Sequence, residues 1–133
     1  MTWPCRHLSV AIRRTPEDVY AFAADARNLP RWAAGFARAV RRDGDAWVAE
    51  SPVGEVRVRF VAKNALRVLD HDVTLPSGDI VHNPMRVLRN DAGSEAVFTL
   101  YRRDGVGETE YEEDARSVAA DLRRLKAILE EEG

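Results

Sequence analysis

The feature that most constrains this fold is a long one-sided apolar pattern near the end of the sequence. From about Glu108 to Glu131, apolar residues recur at spacings of four and three, which is the period of one helix face. A helix of that length spans about 35 Å at 1.5 Å of rise per residue. Because only one side is apolar, we expect the helix to lie across a comparably wide sheet. The residues of this stripe are Tyr111, Ala115, Val118, Leu122, Leu125 and Leu129.

The residues from 36 to 103 predict that sheet. Turn-forming sequences such as DGD, PSGD and NDAGS separate short alternating segments, which is typical of an antiparallel meander. In EVRVRFVAK, Val56, Val58 and Phe60 alternate with charged residues, so one face is buried and the other is solvated. HLSVAIR near the N-terminus has the same period of two and predicts a further strand.

Helix signals come directly after that first strand. In TPED, Thr15 is suited to the N-cap, Pro16 to the first helical position and Asp18 to the first turn. NLPRWAAGF then breaks the pattern and predicts a second short helix around Trp32. The predicted order is one strand, two short helices, six strands and a long helix. We therefore expect an α+β fold with about seven strands, in one domain covering residues 1–133.

Charge and cysteine content narrow the classes of function. The formal net charge is −2, with 20 basic and 22 acidic residues. The basic cluster at 38–42 is short and is followed by Asp43 and Asp45, so it predicts a solvated face rather than a nucleic-acid interface. The single cysteine, Cys5, allows no internal disulfide and favours a reducing compartment. With no run long enough to span a bilayer and no signal peptide, we expect a cytoplasmic protein without integral membrane association.

The chain resembles a known superfamily. TPEDVYAFAADARNLPRW after strand one and YEEDARSVAADLRRLKAILE at the end are similar to the START-like helix-grip (SRPBCC) proteins of the polyketide cyclase/dehydrase and lipid-transport type. The resemblance covers essentially the whole sequence. It implies a curved antiparallel sheet wrapped around the C-terminal helix, with a deep cavity for an apolar or amphipathic ligand between them. Members of this superfamily include cyclases, lipid carriers and hormone receptors, so fold alone does not fix function.

Strand parity predicts which residues would line such a cavity. If the apolar face of each strand points inward, the lining comes mainly from the strands, with two aromatic residues near one mouth. Plain core packing is the alternative for each of these positions. The predicted ligand-binding residues are Trp32, Phe36, Trp47, Val58, Phe60, Leu69, His71, Val73, Met85 and Phe98.

His71 is the predicted catalytic candidate. In VLDHDVTL it shares parity with Leu69 and Val73, whereas Asp70 and Asp72 share the outer face, where we expect both to be solvated. An inward imidazole could act as an acid or base, or donate a hydrogen bond to a bound carbonyl compound. The alternative is a core histidine bonded to a backbone carbonyl.

The register of strand six is left open by Pro84. A proline cannot donate to the ladder, so it predicts an edge or a bulge, and a bulge would shift the parity of the residues after it. His82 is expected at the surface, although Arg86 or His82 could face the cavity. Arg86, Arg102, Arg103 and Tyr101 are further polar candidates near strand ends, each with surface solvation as its alternative.

Three functions remain from the sequence. No metal-binding motif, phosphate-binding loop or nucleophile elbow is present, so we expect neither a metal nor a cofactor. The favoured hypothesis is a non-enzymatic binding or carrier protein for a small hydrophobic ligand. The alternatives are a polyketide cyclase or dehydratase that uses His71 as acid and base, and a module that binds a protein partner, for which an exposed Trp3 would argue. The sequence leaves the oligomeric state open.

Overall fold

The computed structural model describes the backbone of residues 1–132 and the side chains of residues 1–131. The order of elements confirms the α+β class that the sequence predicts. The elements are β1 (Cys5–Ile12), α1 (Pro16–Ala23), a 3-10 turn (Ala26–Asn28), α2 (Leu29–Trp32), β2 (Ala39–Asp43), β3 (Ala46–Ser51), β4 (Gly54–Phe60), β5 (His71–Thr74), β6 (Ile80–Asn83), β7 (Met85–Asn90), β8 (Gly93–Tyr101) and α3 (Glu108–Glu132).

Helix α1 begins as the sequence predicts. The Thr15 hydroxyl oxygen accepts a hydrogen bond from the Asp18 backbone N–H at 3.2 Å, and Pro16 occupies the first turn. The N-cap satisfies one of the backbone donors that a helix start leaves free. Val19 and Ala23 are buried, because this short helix packs its apolar side against β7 and β8.

The strands form two antiparallel ladders that meet at Pro84. One ladder has the order β1-β8-β7 and the other β2-β3-β4-β5-β6. Backbone hydrogen bonds cross the junction, since the Leu69 N–H donates to the Met85 oxygen at 2.8 Å and the Thr99 N–H donates to the Pro84 oxygen at 2.9 Å. The predicted sixth strand is thus divided into β6 and β7, which explains why eight strands stand where about seven are expected.

The bend at Pro84 does not shift parity. Val81 and Asn83 before it, and Met85 and Val87 after it, all occupy positions less exposed than their neighbours His82 and Leu88. Proline removes one ladder donor without inserting a residue, so the strand bends while its inward face continues. This observation settles the register that the sequence leaves open.

Asp70 holds the neighbouring strand at this bend. Its carboxylate accepts a hydrogen bond from the Met85 backbone N–H at 2.9 Å and forms an ion pair with Arg86. Its side chain is only 16% exposed, so the expectation that Asp70 is solvated is wrong. A carboxylate that accepts from a backbone amide and a guanidinium can be largely buried because its charge is compensated.

Helix α3 contacts the sheet differently along its length. Leu122, Leu125 and Leu129 belong to the main core, whereas Tyr111 and Ala115 form a smaller cluster with residues of β8. The Tyr111 hydroxyl donates to the Leu100 oxygen at 2.9 Å and fixes the start of the helix to β8. None of the helices in the described part of the chain is long and apolar enough to cross a membrane.

Candidate functional site

A cavity of about 500 Å³ lies between the first half of α3, the sheet and the segment after α2. Its volume is within the range of small-molecule sites in proteins. Most of the sheet side is apolar and includes aromatic rings. The residues of this apolar wall are Val56, Val58, Phe60, Val73, Leu75, Val81, Phe98 and Leu100.

The side of the cavity formed by α3 is acidic. Glu110, Glu113, Asp114 and Asp121 line it. Glu113 and Asp114 follow Glu110 by three and four residues, and Asp121 follows Asp114 by seven, which places them along one side of the helix. Arg103 contributes the single cationic side chain among the described lining residues. Burial raises the pKa of Asp114, and the charges of Glu110 and Glu113 raise it further. The cavity therefore combines an apolar wall with a rim that carries excess negative charge.

His71 lines the cavity on β5. Its Nδ1 lies 2.9 Å from the backbone oxygen of Leu69, and because a carbonyl only accepts, Nδ1 carries the proton. The ring contacts two aromatic side chains, with centroid distances of 5.0 Å to Phe60 and 5.9 Å to Phe98. Burial lowers the pKa of His71, so the imidazole is neutral near pH 7 and Nε2 is an acceptor.

Asn83 is a lining residue that the sequence analysis missed. It is the direct cross-strand partner of His71 in the β5–β6 pair, and both side chains line the cavity. The same row continues to Phe60, which pairs with His71 from β4. Finding Asn83 from sequence requires the register around Pro84, and the parity of His71 alone does not supply it.

Asp121 is a second polar lining residue missed by the sequence analysis. It is 7% exposed, and its carboxylate forms an ion pair with Arg124 and accepts a hydrogen bond from the Gly35 backbone N–H. Burial raises the pKa of Asp121 to about 6, against the opposing effects of Arg124 and Gly35. Arg124 also donates to the Trp32 backbone oxygen at 3.1 Å, so this group ties α3 to the end of α2.

Gly35 permits that close approach. A Cβ at this position would lie 3.0 Å from the Ser117 hydroxyl and 3.3 Å from an Asp121 carboxylate oxygen. Both distances are shorter than ordinary van der Waals contact, so a larger residue would require Ser117, Asp121 or the segment itself to shift by a few tenths of an ångström. Gly35 thus sets how tightly one edge of the cavity is closed.

Trp32 lies at the same edge. Its side chain is 6% exposed, and the indole N–H has no hydrogen-bond partner among the described residues. A buried donor without a partner costs free energy, so the indole N–H is a polar group that the protein's own described atoms leave unsatisfied. The ring itself contributes to the apolar lining.

Seven of the ten predicted ligand-binding residues lie along the cavity and three do not. Trp47 faces Val58 across the β3–β4 pair but stands one strand farther out, where it packs against the core. Leu69 and Met85 are joined by a backbone hydrogen bond, and both side chains are buried in the main core. The residues along the cavity are Trp32, Phe36, Val58, Phe60, His71, Val73 and Phe98.

The remaining polar candidates separate into two groups. His82 is exposed, and its Nδ1 lies 2.7 Å from a carboxylate oxygen of Asp72. Arg86 forms an ion pair with Asp70. Neither His82 nor Arg86 lines the cavity. Tyr101 and Arg103 do line it, near its mouth. Arg102 instead donates to the Val106 backbone oxygen at 2.9 Å. Within residues 1–131, no group of three or more histidine, cysteine or acidic side chains could hold a metal ion.

Solved structures share this fold. A protein from Bacillus thuringiensis superposes with a TM-score of 0.77 at 14% identity, covering 95% of this chain and 98% of that one. The Zhui aromatase/cyclase from Streptomyces sp. R1128 has a TM-score of 0.70 at 18% identity, covering 96% and 94%. A START superfamily protein from Mycobacterium smegmatis has a TM-score of 0.68 at 11% identity, covering 97% and 99%. At these identities the likeness shows the fold alone.

Sequence comparison identifies the family. A search of curated proteins finds no match to this chain. A family profile described as "Polyketide cyclase / dehydrase and lipid transport" matches residues 7–130, which is nearly the entire sequence. With the helix-grip arrangement of its sheet and long helix, the chain therefore belongs to the polyketide cyclase/dehydrase and lipid-transport family of the START-like superfamily.

Proposed function

We propose that this protein binds a small hydrophobic or amphipathic molecule in the cavity and acts as a non-enzymatic carrier or binding protein. The family supports a role in ligand binding or cyclisation. The observation that favours binding without catalysis is the setting of His71. Its Nδ1–H donates to the Leu69 backbone oxygen and its ring contacts Phe60 and Phe98. No second titratable side chain in the described chain is hydrogen-bonded to it.

The ligand class is inferred from the wall. Apolar surface removed from water contributes about 25 cal/mol per Å², so an apolar skeleton is the main source of affinity. The carboxylates of Glu113 and Asp114 at the rim disfavour an anionic head group. Asp121 is already paired with Arg124, so Arg103 is the one guanidinium in the described lining that can offset the three remaining carboxylates. A neutral or cationic amphiphile of polyketide-like or lipid-like character fits this combination better than a fatty acid.

The direct test is native mass spectrometry of gently purified protein, followed by organic extraction of whatever is bound. A carrier with this cavity should retain a discrete molecule at near-stoichiometric level, or take up an apolar fluorescent probe with 1:1 saturation. An empty protein that also fails to bind such probes would overturn the proposal.

The single cysteine, Cys5, is free and exposed, which supports a cytoplasmic site of action.

A cyclase or dehydratase is the second candidate function. It is favoured by a neutral imidazole that lines the cavity together with Tyr101 and Arg103. In that case His71 Nε2 would take a proton from the bound substrate, since a neutral imidazole is a competent base near pH 7. The two candidates are separated by His71→Ala. Loss of turnover with retained ligand binding supports the enzyme, whereas a change in affinity alone supports the carrier.

A further inference from the structure

The sheet side of the cavity carries one polar pair, and what is inferred from it rests on the proposed function. His71 and Asn83 are direct cross-strand partners, and both line the cavity. Side chains at such positions have Cβ atoms about 4.5–5.5 Å apart, so one ligand atom can contact both. Their surroundings are apolar, since Phe60 and Phe98 lie against the imidazole.

The hydrogen-bonding roles of the pair are complementary. The Nδ1–H of His71 donates a hydrogen bond to the Leu69 backbone oxygen, which leaves Nε2 as an acceptor on the neutral ring. The Asn83 side chain has an NH₂ donor and a carbonyl acceptor. Neither the Asn83 side-chain amide nor His71 Nε2 has a hydrogen bond to another described residue. An acceptor beside a donor matches a group that both donates and accepts.

We propose that His71 and Asn83 together recognise a hydroxyl group, so that the cavity selects apolar, ring-containing molecules with a phenol-type hydroxyl. The ligand O–H donates to Nε2 of His71, and its oxygen accepts from the amide of Asn83. The phenyl rings of Phe60 and Phe98, which pack against the imidazole, suit a flat ring that carries the hydroxyl. His71 acts here as a binding group and transfers no proton.

Two matched ligands test the hydroxyl directly. 2-Naphthol and 2-methoxynaphthalene share a skeleton, but methylation removes the donor and makes the molecule more apolar. Hydrophobic transfer alone therefore favours the ether. We expect the wild-type protein to bind 2-naphthol about tenfold more tightly than the ether in calorimetric or fluorescence titrations, since buried polar groups left unpaired penalise the ether.

Variants assign that preference to the pair. Asn83→Leu and His71→Phe each remove one partner at nearly constant size, and each should reduce the tenfold ratio to about one without weakening the ether more than twofold. Asn90→Leu makes the same chemical change on an exposed strand end, where the amide donates to Glu95 at 3.1 Å, and should leave the ratio unchanged. The ¹⁵N shift of His71 Nε2 should move on addition of 2-naphthol and not on addition of the ether.

The outcomes distinguish the hydroxyl site from the function on which it rests. If the ether binds as tightly as 2-naphthol, or if both variants keep the wild-type ratio, the hydroxyl site is wrong while a ligand-binding cavity stands. If neither naphthalene binds to the wild-type protein, the proposed function fails and the hydroxyl site fails with it. Variants that lose affinity for both ligands equally would also contradict a site specific for the hydroxyl.

Discussion

The two halves of α3 cover the sheet in opposite ways. In the C-terminal half, Leu125 and Leu129 are fully buried in the main core with Ile12 and Val19, and none of the four lines the cavity. In the N-terminal half, the helix stands over a cavity of about 500 Å³, and its stripe packs there in the small cluster around Tyr111. We call these regions the closed end and the open end.

One amphipathic helix thus serves two purposes. Its apolar stripe continues through both halves, but at the open end Glu113 and Asp114, on a neighbouring part of the helix surface, also line the cavity. The buried residues of the closed end stabilise the folded state, because burial of apolar surface is the dominant favourable term in the free energy of folding. The open end leaves apolar surface of the sheet uncovered, which is the condition for binding a ligand.

Removing bulk at the closed end should destabilise the protein more than any other change considered. Leu125→Ala is expected to lower the free energy of unfolding by about 2–5 kcal/mol, because it opens a void in a packed core. Val118→Ala, at a partly buried position on the cavity side of the same helix, should cost about 1 kcal/mol. Urea unfolding measures both. Similar costs for the two variants would contradict the distinction between the ends.

Adding bulk should separate the two ends in the same assay. Val87 is 1% exposed in the main core and does not line the cavity, so Val87→Trp should destabilise by about 1–3 kcal/mol through overpacking. Val73 lines the cavity, so Val73→Trp can place its ring in existing space and should cost about 1 kcal/mol or less. Equal destabilisation of the two variants in urea would mean that the open end is as tightly packed as the closed end.

The sequence predicts the secondary structure and the inward apolar faces well, because these features depend on periodicity. The stripe from Tyr111 to Leu129, the Thr15 N-cap and the alternation in EVRVRFVAK are local patterns, and each has a local physical cause. Parity places Leu69 and Met85 on the correct face. Parity does not say how far along the face a residue lies, so it cannot separate them from the cavity lining.

The open end is less predictable because it depends on contacts between distant segments. Asn83 meets His71 only through the register across Pro84. Asp121 is buried because Gly35, far away in sequence, approaches α3 closely enough to donate to it. An isolated helix pattern gives an acidic residue at position 121 no reason to be anything other than solvated.

The edge of the open end should respond to pH through Asp121. The pKa of Asp121 is raised from 3.8 to about 6 in the folded state. Between these two pH values the carboxyl is protonated in the folded protein and ionised in the unfolded protein. Stability from this group is therefore present at low pH and lost as pH rises through 6. Relative to Asp121→Asn, the wild-type protein should gain about 1 kcal/mol between pH 7 and pH 5. Parallel stability curves for the two proteins would contradict a raised pKa.

The acidic rim should have a weaker influence than any of these groups. Neutral N-phenyl-1-naphthylamine should bind more tightly than anionic 1-anilinonaphthalene-8-sulfonate. At low salt, the double variant Glu113→Gln/Asp114→Asn should reduce the ratio of the two dissociation constants a few-fold. Near 1 M salt, where the Debye length is about 3 Å, the variant should have little effect. Glu55→Gln, on the exposed end of β4, is the control and should change nothing. If neither salt nor the double variant changes the affinity ratio of the two probes, the rim does not select ligands by charge.

Whether the open end admits an apolar ligand can be decided by a single titration. N-phenyl-1-naphthylamine is added to the wild-type protein and to Val73→Trp, which places an indole in the cavity, with Val73→Ala as the control for loss of the valine. We expect saturable 1:1 binding to the wild-type and Val73→Ala proteins, and at least tenfold weaker binding to Val73→Trp. No binding to the wild-type protein, or equal affinity for all three, would contradict a ligand-binding cavity at the open end.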